Sequence, residues 1–152
     1  MQFKLPLLAV KDVNRSIEFY KGLFDQEVVL DLGKNKTFSG GFAIQEDFSW
    51  ITGIPKKDII EKSNNMELYF EVEDFDEFIN KLENHKEIKY VHEPKKYEWQ
   101  QRVVRIYDPD FHIIEIGESM EIIVKRFASM GYSPSEIAEQ VKSPIEFVNM
   151  IL

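Results

Sequence analysis

The stretch RIYDPDFHIIEIGE, Arg105 to Glu118, carries a single carboxylate, Glu115, among the isoleucines of a strand pattern. A carboxylate withdrawn from water is expensive and ends up protonated, paired with a cation or bound to a metal. In strand phase, Phe111, Ile113 and Glu115 share one side, while His112, Ile114 and Ile116 take the other. His112 therefore cannot meet Glu115 at one site if the strand is regular. The simplest satisfaction of Glu115 is a pair with Arg105, Arg102 or a tyrosine. The two arginines alternate with Val103 and Val104, so at most one of them reaches the same site. In ELYFEV, Glu67, Tyr69 and Glu71 face one way and Leu68, Phe70 and Val72 the other, so Glu67 is either a solvated edge-strand acid or a second site carboxylate. His85 at a helix end and His92 at a strand end read as exposed or structural. Of the aromatics, Trp50, Tyr69 and Trp99 are the candidates to line a ligand site, with Arg105 beside them. Core packing accounts for Phe38, Phe42, Phe48, Tyr97 and Phe111 equally well.

The elements that must position these residues follow from hydrophobic period. LPLLAV has strand length and stops at Lys11-Asp12. Val13, Ile17, Tyr20 and Phe24 then fall on one helical face, with Asp12 as N-cap. EVVLDL, TFSG and GFAIQ are three short strand candidates, and residues 47–64 form an irregular linker with a short helix expected at KKDIIEK. The second half repeats the order. ELYFEVED is a strand, Phe75, Phe78, Ile79 and Leu82 mark a helix, and IKYVHEP, QRVVRIY and HIIEIGE are three strands. Superposing Asp12 on Asp74 also superposes Val10 on Val72 and Ile17 on Ile79. A strand-helix-strand-strand-strand unit that occurs twice indicates duplication of a two-layer module.

The doubled unit, the VKDVNRSIEFYKGLF start and the YDPDFHIIEIGE end resemble the vicinal oxygen chelate superfamily, which includes glyoxalases, bleomycin-resistance proteins and extradiol dioxygenases. The resemblance covers residues 3–118 and implies an α+β fold of tandem βαβββ modules, 1–46 and 65–118, whose curved mixed sheets form a cleft. Residues 119–152 remain as a C-terminal helical appendage. The resemblance further implies a small organic ligand in that cleft, a homodimer, and metal ligands on the first and last strands of each module. Those positions are Leu5, Gln45, Glu67 and Glu115; a shift of one residue would put Glu46 or Ile44 in place of Gln45. Leu5 cannot ligate. Glu67, Glu115 and Gln45 would make an all-oxygen set for Mn, Ni, Mg or Ca, with Zn less suited. With such a metal, Glu67 and Glu115 would be the catalytic residues of a lyase of glyoxalase I type or a dioxygenase. The metal would stabilise an enolate or oxyanion while a carboxylate moves a proton. Without a metal, one glutamate could act as a base, or the pair could receive a cationic group of a ligand. The alternative is a metal-free binding protein for resistance or sensing. In the closing turn Phe111 replaces the glycine usual in the family.

Bulk properties narrow the field. The chain has 152 residues, 43% of them hydrophobic, and 12 phenylalanines, enough for a real core. A formal charge of −8 argues against nucleic acid or an anionic membrane as partner. No cysteine is present, which excludes disulfides and thiolate metal sites. The apolar run Leu5–Val10 is too short for a signal peptide or a membrane span, so a cytoplasmic protein is expected. The tail reads as three short helices, with capping-box patterns at SPSE (Ser133–Glu136) and SPIE (Ser143–Glu146). Its helix-turn-helix look lacks the basic residues that DNA requires, since PIEFVNMIL holds one acid and no base. A packing or dimerisation role is the expectation, with Phe147, Val148, Met150, Ile151 and Leu152 in need of cover.

Overall fold

The computed structural model describes residues Met1–Leu152. The same unit is built twice. The first comprises β1 (Leu7–Val10), α1 (Val13–Phe24), β2 (Val28–Asp31), β3 (Asn35–Phe38) and β4 (Ala43–Glu46). After α2 (Phe48–Thr52), the second comprises β5 (Glu67–Val72), α3 (Phe75–Glu83), β6 (Tyr90–Lys96), β7 (Arg102–Tyr107) and β8 (Ile113–Glu118). Strand order is β1-β4-β3-β2 in one sheet and β5-β8-β7-β6 in the other, the same order twice. In the first sheet β1 runs parallel to β4, and β2, β3 and β4 are antiparallel neighbours. The tandem βαβββ architecture expected from the sequence is the one observed.

The chain divides into two compact units, Met1–Met66 with Tyr107–Ile113, and Glu67–Ile106 with Ile114–Leu152. In the first, Asp12 caps α1 by accepting from the Asn14 and Arg15 amides at 2.8 and 3.1 Å, as Ser, Thr, Asp and Asn do at this position. The helix buries Val13, Ser16, Tyr20, Leu23 and Phe24. The Tyr20 ring lies 5.4 Å from Phe38 and 4.9 Å from Phe42, centroid to centroid. Its hydroxyl donates to Asp108 in the 107–113 turn at 2.9 Å. Burial and the Asp108 carboxylate push the Tyr20 phenol well above its ordinary range. Phe111 adopts φ 69, the left-handed conformation that glycine usually supplies.

In the second unit Asp74 caps α3 through the Glu77 amide at 2.9 Å. Phe75, Phe78 and Leu82 are buried, as are Val103, Val104, Ile106, Ile114 and Ile116 on the strands. The tail forms α4 (Met120–Ser129), α5 (Pro134–Val141) and α6 (Ile145–Ile151), packed on Ile123, Val124, Ile137, Val141 and Val148.

Two sequence expectations fail locally. KKDIIEK makes only a 3-10 turn at Lys56–Asp58, because Pro55 precedes it extended and Ile59 leaves it extended. The helix of the linker is α2 instead, stopped by Gly53 at φ 73. The capping box forms at Ser133 and Glu136 but not at Ser143: Pro144 is extended, α6 starts one residue later, and no side chain caps it. Of the tail residues in need of cover, Val148 is fully buried and Phe147 and Ile151 pack partly against the cluster. Met150 stays 79% exposed and Leu152 55%. No helix is long and apolar enough to cross a membrane.

Candidate functional site

The four strands of the second sheet each contribute one side chain to a row centred on Arg105. In strand order the row is Glu67 on β5, Glu115 on β8, Arg105 on β7 and His92 on β6. Arg105 Nε donates to Glu67 Oε2 at 2.8 Å, and Nη2 donates to Glu67 Oε1 at 3.4 Å. Nη2 also ion-pairs with Glu115 Oε2. Nη1 donates to the Tyr97 hydroxyl at 2.7 Å and to His92 Nε2 at 3.1 Å. A guanidinium has five N–H donors and no acceptor, so this set uses all of them. His92 Nε2 must therefore accept, which leaves the proton on Nδ1, where it is donated to the Glu93 carbonyl at 2.8 Å. Two carboxylates against one guanidinium leave the row with one net negative charge. Burial works against the charge on Arg105, yet Glu67 and Tyr97 hold its pKa above the ordinary value.

Beside the row lies an aromatic and amide network. Tyr97 and Trp99 stack with centroids 4.3 Å apart and planes 17° apart. Trp99 Nε1 donates to Gln101 Oε1 at 2.8 Å, and Gln101 Nε2 donates to the Tyr69 hydroxyl at 2.8 Å and to the Glu118 carbonyl at 3.0 Å. The Tyr69 hydroxyl donates in turn to Glu71 at 2.7 Å. Burial first, then Glu71, pushes the Tyr69 phenol up to about 12. Gly117 lets this network close. A Cβ there would lie 2.5 Å from Gln101 Nε2 and 3.1 Å from Tyr69 Cε2.

Arg102 departs to the opposite face, as the alternation requires. It bonds Glu118 and Asp76 and lies 4.9 Å above the Phe75 ring. Glu118 also accepts from Arg126 at 2.6 Å. Burial would raise the Glu118 pKa, but the two arginines hold it below the usual carboxylate range. This second cluster ties β7 and β8 to α3 and α4 and has a structural role.

Glu67, Tyr69, Trp99, Arg105 and Glu115 thus belong to one connected surface. Trp50 stands on α2 in the first unit, 76% exposed. Gln45 is buried on β4, where its Oε1 accepts from Asn35 at 3.0 Å and its Nε2 donates to the Glu46 carbonyl at 2.7 Å. Leu5 precedes β1. Of the donor set, Glu67 and Glu115 are both engaged by Arg105 and Gln45 by Asn35, and no three His, Asp or Glu side chains converge to hold an ion. His92, read from the sequence as merely structural, is a member of the row. Tyr97 and Gln101 are further members that strand parity alone did not single out. The signal for His92 was its pairing opposite Arg105, which depends on a register irregularity in β6 that no sequence pattern marks.

Several known proteins are similar to this chain in sequence or fold. The uncharacterised protein YraH of Bacillus subtilis (strain 168) is 33% identical over 118 residues, covering 72% of this chain and 91% of that protein. A solved protein of unknown function from Agrobacterium tumefaciens str. C58 is 38% identical, with a TM-score of 0.68 over 79% of this chain and 95% of that one. The fosfomycin resistance protein FosX of Listeria monocytogenes, solved with Mn(II) and sulfate, is 22% identical. It superposes with a TM-score of 0.61 over 83% of this chain and 97% of its own, a likeness of fold. Residues 3–121 match the glyoxalase-like domain, and the chain belongs to that family, within the vicinal oxygen chelate superfamily.

Proposed function

We propose that this protein binds a small aromatic or cationic organic compound on the Arg105-centred face of its second sheet, without a resident divalent metal. The observation that carries this reading is the guanidinium of Arg105 bonded to both Glu67 and Glu115. A divalent ion held by these two carboxylates would sit within about 2.0–2.6 Å of their oxygens, where the guanidinium already lies. Two positive groups cannot share that position. The arginine supplies the charge compensation that a metal would, but it offers no open coordination position and no Lewis acidity. The row's one negative charge in excess lies beside the stacked Tyr97–Trp99 pair, over whose Tyr97 ring the Lys95 ammonium already sits at 4.7 Å. Aromatic faces and carboxylates both favour an organic cation, and the flat ring pair favours a planar one.

A second reading has one observation in its favour. FosX is solved with Mn(II), and here two carboxylates do meet at one cation. If a divalent ion displaced Arg105, Glu67 and Glu115 would be its ligands, and the protein would be a lyase of glyoxalase I type or a dioxygenase.

Fluorescence separates the readings. In a Trp50→Phe background Trp99 is the remaining tryptophan, so phenyltrimethylammonium should quench it saturably and benzoate should not. Metal content after purification without chelating resin, and the thermal shift with MnCl2, form the second arm. No quenching by the cation, together with stoichiometric manganese lost on Glu115→Gln, would overturn the metal-free reading in favour of the second.

A further inference from the structure

In the second unit, on the side of the sheet opposite to Arg105, a pocket of about 400 Å³ lies between β6, β7 and the end of α4. Lys96, Arg102, Glu118, Arg126, Phe127 and Met130 line it. Lys96 and Arg102 are direct partners in the β6–β7 ladder, so their side chains leave the sheet on the same face. Like charges at such a position repel each other. Arg102 leans away to Glu118, at 3.2 and 3.3 Å, and to Asp76, at 2.8 Å. Lys96 is exposed on the edge strand and joins none of these pairs.

Arg126 comes from the last turn of α4 and meets the same carboxylate, through Nη1 to Glu118 Oε1. That side chain is 37% exposed, and the Nε–Nη2 edge of its planar fork stays open. Three cations thus stand against Glu118 and Asp76, which leaves one positive charge in excess in a chain whose formal charge is −8. Glu118 cannot turn outward to take up that excess, since it is buried and both its oxygens are taken by the two arginines. The carbonyls at the end of α4 would repel an anion, but those of Arg126, Phe127 and Ala128 already accept from the Met130, Gly131 and Tyr132 amides. The ledge beside Arg126 is apolar: Phe127 is half-buried and Met130 is 63% exposed.

We infer that this pocket is a second small-molecule site, for an aliphatic carboxylate whose head takes the open edge of Arg126 and the Lys96 ammonium and whose chain lies over Phe127 and Met130. The two oxygens of a carboxylate match two parallel N–H donors of a guanidinium fork. Binding relieves the repulsion between Lys96 and Arg102 and leaves the Glu118 pairs as they are. The occupant is opposite in charge to the organic cation proposed for the Arg105 face, and the inference does not rest on that reading.

Amide-resolved NMR titration of the full chain tests this with hexanoate, hexanol and hexylammonium. Hexanoate should shift the Gln100, Arg126 and Met130 amides saturably, with a dissociation constant on the order of 1 mM, as fits a fragment of this size. Hexanol should bind there several-fold more weakly, and hexylammonium should leave these amides in place. Lys96→Gln removes no contact within the chain, so it should stay folded. It should weaken hexanoate about three- to fivefold, the factor for roughly 0.6–1 kcal/mol from a solvent-accessible ion pair, and leave hexanol unchanged. Met130→Ala should weaken hexanoate and hexanol alike, about twofold, because it trims the apolar ledge they share. Equal shifts from hexanoate and hexylammonium, no shifts at these amides, or unchanged hexanoate affinity in Lys96→Gln would each overturn the proposal.

Discussion

Replacing Arg105 by methionine should expose what the arginine does for its neighbours. Methionine keeps a long apolar stem and removes all five donors. Glu115, with 12% of its side chain exposed, loses its cation, while Glu67, 38% exposed, can turn to water. Breaking a buried pair by deleting one partner costs about 3–5 kcal/mol, and exposed pairs contribute about 0–1 kcal/mol. Arg105 is itself 22% exposed, so the loss should be about 2–4 kcal/mol, or on the order of 10 °C in Tm for a chain of this size. Urea and thermal unfolding by circular dichroism give both numbers. Glu115→Gln in the same chain should recover part of the loss, because it removes the uncompensated charge; the double-mutant cycle isolates that coupling. The variant also leaves two carboxylates facing one another without a cation. MnCl2 at a hundred times its dissociation constant would add about 2.7 kcal/mol to such a site, and the wild type should gain nothing comparable. A variant as stable as the wild type would refute this account. So would a wild type that manganese stabilises as strongly as Arg105→Met, since Arg105 would then not occupy the place of a cation.

Three further outcomes are expected. Gly117→Ala should cost about 1–3 kcal/mol through overpacking, and it should alter the near-ultraviolet signal of Trp99, because its Cβ lands 2.5 Å from Gln101 Nε2; an unchanged spectrum would show that the network is not closed at Gly117. Burial opposes protonation of His112, but Asp108 and then Asp110 hold its pKa above the ordinary value, so this contribution is full below the unfolded value of about 6.5 and is lost as pH rises through the folded one. The stability difference between wild type and His112→Gln should therefore shrink from pH 6 to 9, and a constant difference would contradict it. Glu118 is displaced in the opposite direction: its contribution is present above about 4.3 and fades as pH falls through the lower folded value, so Glu118→Gln should flatten the acid limb of the stability profile.

The fold was legible because its signals are local and occur twice. Asp12 and Asp74 cap helices of the same periodicity, and strand parity alone put Arg105 and Arg102 on opposite faces. Parity also placed Glu67, Tyr69 and Glu71 on one face. Parity says nothing of which side chains meet across strands, which is why His92 reads from the sequence as exposed or structural and Tyr97 as core packing. The linker misled for a related reason. KKDIIEK has helical composition, but Pro55 and the extended Ile59 leave it a single turn, while Phe48–Thr52 forms a helix with no side-chain cap to announce it. One physical point that bears on the ligand set implied by the resemblance is beyond the sequence. A strand position known to hold a metal ligand does not reveal whether an arginine on the neighbouring strand has already claimed its charge.

That point extends to the duplication itself. In the first sheet the third and last strands of the module meet through Asn35 and Gln45, two neutral amides joined by one hydrogen bond. In the second sheet the third and last strands meet through Arg105 and Glu115, a full ion pair. The same topological junction is thus neutral in one repeat and charged in the other. A neutral amide pair carries no net charge and needs no counter-ion. The charged junction draws in a second carboxylate from β5, a phenol and an imidazole, and still carries one negative charge in excess. If the two modules descend from one ancestral unit, the polar chemistry of this sheet face was retained or acquired in the second copy alone. Ligand preference should accordingly respond to charge changes at Glu67, Arg105 and Glu115, and exchange of Asn35 or Gln45 for an isosteric acid should alter stability without altering which organic cation is bound.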